Sequence, residues 1–252
     1  MTIQEFFQQN PIAAIAFSGG VDSAWLLHEA AAYARRTAAY FVHTPFQPDF
    51  ELEDAQSTAQ KTGVPLTVLD FDILAVPEAA ANPPDRCYYC KRALFTRLLD
   101  RARADGFPLV LDGSNASDDA GDRPGMRALR ELGVRSPLRE CGVTKADIRR
   151  LSREAGLPVW DKPSYACLAT RIPTGTTITA GDLARAAEGE AALMALGLSD
   201  FRLRLRGADA LLQVRAEQMP LARQLLASLP EAIIKNFHNV MLDPAPRVTR
   251  ET

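Results

Sequence analysis

The 252-residue sequence has no apolar run of the ~18 residues that a membrane span requires. Its opening, MTIQEFFQQNP, has neither the basic n-region nor the apolar h-region of a signal peptide. Both absences set the expectation of a cytoplasmic protein with no membrane partner. A dominant charge is missing too: 29 Lys and Arg face 31 Asp and Glu, for a net charge of −2 and a pI near 6.0. No global positive field draws nucleic acid, and none is expected as a partner. The most basic stretch, residues 92–103, spaces Leu94, Phe95, Leu98 and Leu99 at helical intervals and reads as an amphipathic helix with a solvated face. Cysteine is scarce, at four residues. In a reducing compartment such thiols suit metal binding or catalysis better than disulfide stapling.

Short apolar runs alternate with helical patterns over the first 140 residues. Residues 12–17, 38–43, 66–71 and 109–111 read as strands, with helices over 23–36, 51–62 and 91–104 between them. Strands separated by helices of this length predict an α/β fold with a doubly wound parallel sheet. Its ligands belong at the carboxyl ends of the strands. Thr144 and Asp147 form a capping-box pattern that opens a helix over 145–155. Beyond Gly175 the pattern changes to a helix over 180–196, strands over 201–206 and 210–215, a helix over 220–229 and a strand near 239–242. The expected division is a large domain at 1–175 and a smaller α+β domain at 176–252, which serves substrate binding or oligomerisation.

The sharpest signal is AFSGGVDSAWLLHEA at 16–30. A buried strand runs into Ser18-Gly19-Gly20-Val21-Asp22-Ser23 and directly into a helix. The glycines let the backbone approach a ligand, and consecutive N–H groups at a helix N-terminus make an anion nest. Ser18 and Ser23 add hydroxyls. Asp22 would repel phosphate directly, so its expected role is to hold Mg²⁺ on the phosphate oxygens. The lysine of G-x-x-x-x-G-K-[ST] is absent, which excludes a P-loop of the γ-phosphate-transferring kind. The segment instead resembles the SGGxDS loop of the ATP pyrophosphatase (PP-loop) superfamily, whose members split ATP into AMP and pyrophosphate.

Three further segments narrow this: RCYYCKRALF at 86–95, LDGSNASDDAGDRPGMRA at 111–128, and the stretch from Ser136 to Thr179 that contains CLATRIPTG at 167–175. With the loop, the ordered set resembles the LarE family, from Ile12 to about Met241. The resemblance implies ATP-dependent sulfur transfer. A carboxylate of pyridinium-3,5-biscarboxylic acid mononucleotide is adenylated, pyrophosphate leaves, and the acyl-adenylate becomes a thiocarboxylate on the way to a nickel-pincer nucleotide. It also implies a sulfide or other sulfur donor and a homo-oligomer. Adenylation supplies a leaving group to a poor electrophile, and a thiolate in an electropositive site then attacks. Arg123, Lys162 and Arg171 fall in segments able to supply that field. Asp122 and Arg123 belong to the most specific part of the match.

Three readings of the cysteines stay open. Cys87, Cys90 and Cys167 can hold three irons of a 4Fe–4S cluster. Cys167 also matches the sacrificial cysteine that some family members convert to dehydroalanine. Structural zinc, with Cys141 as a possible fourth ligand, or inert thiols form the third reading; otherwise Cys141 reads as a small buried or partly buried spectator. Residues Asp112-Gly113-Ser114-Asn115 either line the ATP site or form a turn with an Asx cap. His43 ends the second strand, where the family places its adenine contact, and reads equally as a packed strand-end residue. Arg202 and Arg204 share one strand face; the resemblance assigns them to the substrate's phosphate, while an outward charged face is the alternative. Glu190 aligns with an acidic residue of the family's metal and substrate region, but Gln213 stands where a second acid is expected. Competing functions are a PP-loop tRNA thiolase, an ammonia-using synthetase and a nucleotide-binding module without turnover.

Overall fold

The computed structural model describes residues 1–118 and 123–248. Backbone contacts divide it into two units, one from Met1–Val76 and Asp85–Lys162, the other from Pro77–Pro84 and the chain from Pro163 onward. The first unit begins with α1 (Ile3–Gln9), β1 (Ile12–Ala16), α2 (Val21–Tyr33), β2 (Arg36–His43), α3 (Asp49–Thr62) and β3 (Leu66–Asp70). The chain leaves it for α4 (Pro77–Ala80) and returns through α5 (Arg86–Ala104), β4 (Val110–Leu111), α6 (Pro124–Glu131), α7 (Pro137–Glu140) and α8 (Lys145–Glu154). The second unit adds a 3₁₀ turn at Leu168–Arg171, α9 (Ala180–Ala195), β5 (Arg202–Arg206), β6 (Asp209–Gln213), α10 (Met219–Leu226), α11 (Glu231–Ile234) and β7 (Val240–Leu242).

The first sheet has the order β3-β2-β1-β4, and every pairing is parallel. Successive residues of a strand face opposite sides, and here both sides are covered. Ala13, Ile15, Ala39 and Phe41 pack with α1, α2 and α3, whereas Ala14, Ala38 and Tyr40 pack with α5 and α6. Apolar residues at consecutive positions are therefore needed, and IAAIA in β1 supplies them. The α/β fold expected from the sequence is present. After β3 the chain crosses back to pair β4 with the other edge of β1. The switch point of the sheet consequently lies between β1 and β4, and the loop after β1 sits at its carboxyl end.

Capping explains most helix ends. Thr144 and Asp147 form the expected capping box, and Gly63 closes α3 in the left-handed conformation. One start departs from expectation. Helix α5 begins at Arg86, not at Lys91, so Cys87 and Cys90 lie in its first two turns. Asp85 gives the first turn no side-chain cap; contacts to α6 hold it instead. Tyr88 donates to Glu131 Oε2 at 2.7 Å, and the Arg127 guanidinium lies 4.2 Å from the Tyr88 ring. Such tertiary support leaves no local sequence signal.

In the second unit, β5 and β6 form an antiparallel hairpin and β7 joins β6 in parallel, giving the small second sheet. Among the described residues, no helix is long and apolar enough to cross a membrane.

Candidate active site

The phosphate loop is tied to itself before any ligand arrives. Ser18 N–H donates to Ser23 Oγ at 3.2 Å, and Ser23 Oγ–H donates to the Gly20 carbonyl at 3.1 Å. Gly20 N–H reaches Ser18 Oγ at 3.4 Å, and the two hydroxyls lie 3.1 Å apart. Gly20 is the extended N-cap of α2, which starts the helix two residues earlier than the sequence pattern predicts. Gly19 has φ +73°, and a β-carbon there would lie 3.0 Å from the Glu51 carbonyl and 3.2 Å from Ala55 N on α3. No other residue meets both demands.

The segment after β4 closes on this loop. A β-carbon on Gly113 would lie 2.9 Å from Ser23 N, 3.1 Å from Ser23 Cα and 3.2 Å from the Asp22 carbonyl carbon. Buried Asp112 fixes the approach by accepting from Ser114 Oγ and Ser136 Oγ, each at 2.5 Å. Asn115 forms the expected Asx turn and also reaches the phosphate loop. Its Oδ1 accepts from Ser117 N–H as an Asx turn, while its Nδ2 donates to Asp22 Oδ1 at 3.3 Å.

Asp22 has a second partner that sequence reasoning missed. Lys145, the first residue of α8, places Nζ 2.6 Å from Asp22 Oδ2. Burial raises the Asp22 pKa above the ordinary carboxylate value; Lys145 opposes that shift and nearby Asp118 adds to it. A signal for Lys145 existed: a cation at a helix N-terminus opposes the macrodipole and asks for a reason. The donors present fit Mg²⁺, which takes one or two carboxylates together with substrate phosphates and keeps waters. Asp22 is a partly exposed carboxylate beside the loop hydroxyls.

Other expected residues of this unit are distributed as follows. His43, at the end of β2, lies 3.1 Å from Asp70 Oδ1 at the end of β3. Lys162 pairs with Asp54 at 2.5 Å and stands over the Phe50 ring. Arg123 is the exposed N-cap of α6, and Asp122 lies outside the described residues. Cys87 is exposed and Cys90 partly buried, one helical turn apart on one face of α5. That geometry fits two ligands of a cluster. Among the described residues, no three His, Cys, Asp or Glu side chains gather as for a single metal ion.

Cys167 belongs to the second unit, where it caps the turn Leu168–Arg171. Thr170 fixes it through N–H and Oγ–H bonds to the Cys167 carbonyl at 2.9 and 2.8 Å. Arg171 is 1% exposed and bidentate to Glu190, at 2.7 Å from Nε and 2.8 Å from Nη2. Its Nη1 donates to the Ala166 carbonyl and to Thr170 Oγ1. Burial pushes the Arg171 pKa down, but Glu190 outweighs it and the net shift is upward, with Tyr165 and Cys167 contributing. Glu190 also accepts from Leu203 N–H at 2.8 Å and from the Tyr165 hydroxyl. Its two oxygens thus take four bonds, so in this arrangement Glu190 holds the Cys167 turn.

Arg202 and Arg204 donate to carbonyl and amide oxygens among the described residues. Arg202 is buried, donates to the Phe201 and Ser164 carbonyls, and has its pKa pushed down to about 10 by burial, Arg171 and Arg247. Arg204 donates to Gln213 Oε1 at 2.5 Å and to the Thr170 carbonyl at 2.8 Å. Among the described residues neither guanidinium is bonded to a carboxylate. Gln213 passes its own Nε2–H to Asp243 at 2.7 Å, so an acid does reach this group, one residue beyond β7.

No protein-family profile matches the chain. It is 38% identical over 218 residues to an uncharacterised protein of Synechocystis sp., covering 86% of this chain and 81% of that one. It is 35% identical over 192 residues to the pyridinium-3,5-bisthiocarboxylic acid mononucleotide synthase of Lactiplantibacillus plantarum, covering 75% of this chain and 70% of the synthase. The chain belongs to the LarE family. The tRNA-specific 2-thiouridylase MnmA of Acidithiobacillus ferrooxidans is 28% identical over 177 residues, and the chain spans half of its length. That wider similarity places LarE proteins and this chain within the PP-loop group.

Proposed function

We propose that this protein is an ATP-dependent sulfurtransferase that adenylates the carboxylates of pyridinium-3,5-biscarboxylic acid mononucleotide and converts them to thiocarboxylates. The observation that carries the reading is the pre-tied loop Ser18–Ser23 at the switch point of the sheet, in a chain 35% identical to a synthase named for that product. The loop's N–H groups bind the phosphates, and Asp22 holds Mg²⁺, which neutralises phosphate charge when bound. Gly113 sets the backbone spacing, and His43 borders the base. The substrate carboxylate attacks the α-phosphorus, and the bond to the bridging oxygen breaks, releasing pyrophosphate.

Arg202 and Arg204 supply the cations for the substrate's phosphate in the C-terminal α+β part, supported by their bonding to no carboxylate among the described residues. Asp122 and Arg123 are assigned to the nucleotide side by the specificity of their motif. Cys87, Cys90 and Cys167 would hold a 4Fe–4S cluster, which would supply sulfide-level sulfur for the acyl-adenylate; in the other route Cys167 gives up its own sulfur. Arg171 keeps that cysteine's turn rigid and contributes to an electropositive setting. The downstream use of the product in a nickel-pincer nucleotide and the homo-oligomeric state belong to the same reading.

The test is release of AMP and pyrophosphate from ATP and Mg²⁺. The pyridinium dicarboxylate mononucleotide should stimulate it and tRNA should not. Asp22→Ala should abolish it in a folded protein. Stimulation by tRNA, with sulfur appearing in the RNA, would replace this reading by a tRNA thiolase.

A further inference from the structure

The PP-loop here contains no lysine, yet a lysine lies at it. Lys145 comes from α8, more than a hundred residues along the chain, and its side chain is 15% exposed. Its backbone is held at both ends: Lys145 N–H donates to Ser117 Oγ at 3.0 Å, and the Thr144–Asp147 capping box fixes the turn that carries it. Only the four-carbon stem is left to move. The charged groups facing Asp22 are Lys145, Asp118 and Arg149. Of these, Lys145 alone bonds the carboxylate, while Arg149 is engaged with the Trp160 and Lys162 carbonyls.

The bond occupies Oδ2 and Asn115 takes Oδ1, the two oxygens that Asp22 would offer a metal. A lysine ammonium is a compact charge with three rotatable donors, suited to changing partners. We propose that Lys145 is a catalytic residue that holds Asp22 while the nucleotide site is empty and moves to the β- and γ-phosphates when ATP binds, stabilising the pyrophosphate as it leaves. This rests on the adenylation reading above. In that step the substrate oxygen bonds to the α-phosphorus and the electron pair of the broken bond goes to the bridging oxygen of pyrophosphate. No proton or redox partner is needed. A donor aimed at the oxygen where charge accumulates acts in the transition state, and loss of one such donor costs roughly 10²–10³ in rate.

A merely neutralising lysine would serve Asp22 alone, and the experiment separates the two roles. In an Asp22→Asn background the carboxylate is gone, and binding of Mg²⁺-free inorganic pyrophosphate is measured by calorimetry. Adding Lys145→Met should weaken that binding about tenfold or more, as expected for a charge-assisted bond; Lys145→Arg should recover part of it. Equal affinity of the two backgrounds, with matching thermal midpoints, overturns the proposal. In the otherwise native protein, Lys145→Met should lower the rate of pyrophosphate release while AMP affinity holds. Release at the native rate also overturns it and leaves the adenylation reading intact. Pyrophosphate binding that needs Lys145, in a protein that releases none with the pyridinium nucleotide, supports the lysine contact and removes the substrate assignment.

Discussion

Replacing Glu190 by glutamine changes one oxygen into an amide and little else in shape. The carboxylate accepts two bonds from Arg171 Nε and Nη2, one from Leu203 N–H and one from the Tyr165 hydroxyl. All four partners present hydrogens, so the new NH₂ group faces donors on whichever side it turns. Arg171, whose side chain is fully buried, also loses its counter-charge. Breaking a buried ion pair by removing one partner costs about 3–5 kcal/mol. That is a large share of the roughly 5–15 kcal/mol by which a domain is stable. Both tryptophans, Trp25 and Trp160, lie in the first unit, so their fluorescence is a poor reporter. Hydrogen exchange of peptides covering residues 163–206 reads the right place. In Glu190→Gln these should exchange roughly 10²- to 5 × 10³-fold faster, the factor that corresponds to the loss of a buried pair. The double change Glu190→Leu with Arg171→Met should recover much of the protection, because it leaves no charge behind. An increase below about fivefold in the single variant would refute the role assigned to Glu190.

Gly113→Ala should weaken ATP binding while the sheet stays folded, because the added carbon meets loop backbone that cannot rotate away. Overpacking of this kind costs about 1–3 kcal/mol, and a displaced phosphate site loses on the order of 10² in rate. The thiols are separated by counting: a cluster on Cys87, Cys90 and Cys167 gives about four irons per chain in anaerobic protein, lost with any one of the three. A sacrificial Cys167 instead leaves activity intact in Cys87→Ser and makes the chain lighter by about 34 Da after turnover, the mass of H₂S lost from a thiol.

The parts of this molecule that were legible in sequence are the parts decided locally. The phosphate loop is a strand, two glycines and a helix in immediate succession, and Thr144 with Asp147 announces α8 through its own side chains. Elements held from a distance were not legible. The first turn of α5 depends on Glu131 and Arg127 reaching Tyr88, and β2 begins at Arg36 because it pairs with Ile12, ahead of any apolar residue of its own. The partners of Asp22 and Glu190 are similarly remote, at Lys145 and Arg171. A sequence shows that a lysine opens a helix; which carboxylate it meets is a property of the fold.

The eight residues Pro77–Pro84 belong to the second unit although the chain on either side of them belongs to the first. Asn82 is buried, adopts φ +55°, and bonds through Nδ2 to the Pro173 carbonyl, while Gly175 N–H returns a bond to Asn82. Ribosomal synthesis at about 5–20 residues per second makes this strip roughly 5–20 s before the residues that receive it. For that interval a buried asparagine and its neighbours are exposed on a nascent chain, and for about the first third of it the first sheet also lacks β4. The order of translation therefore works against the second unit, which has its foundation laid early and its walls late. Shortening the chain from its C-terminus would leave that strip unsatisfied, so a truncated first unit should be better behaved with residues 77–84 replaced by a neutral linker than with them left in place.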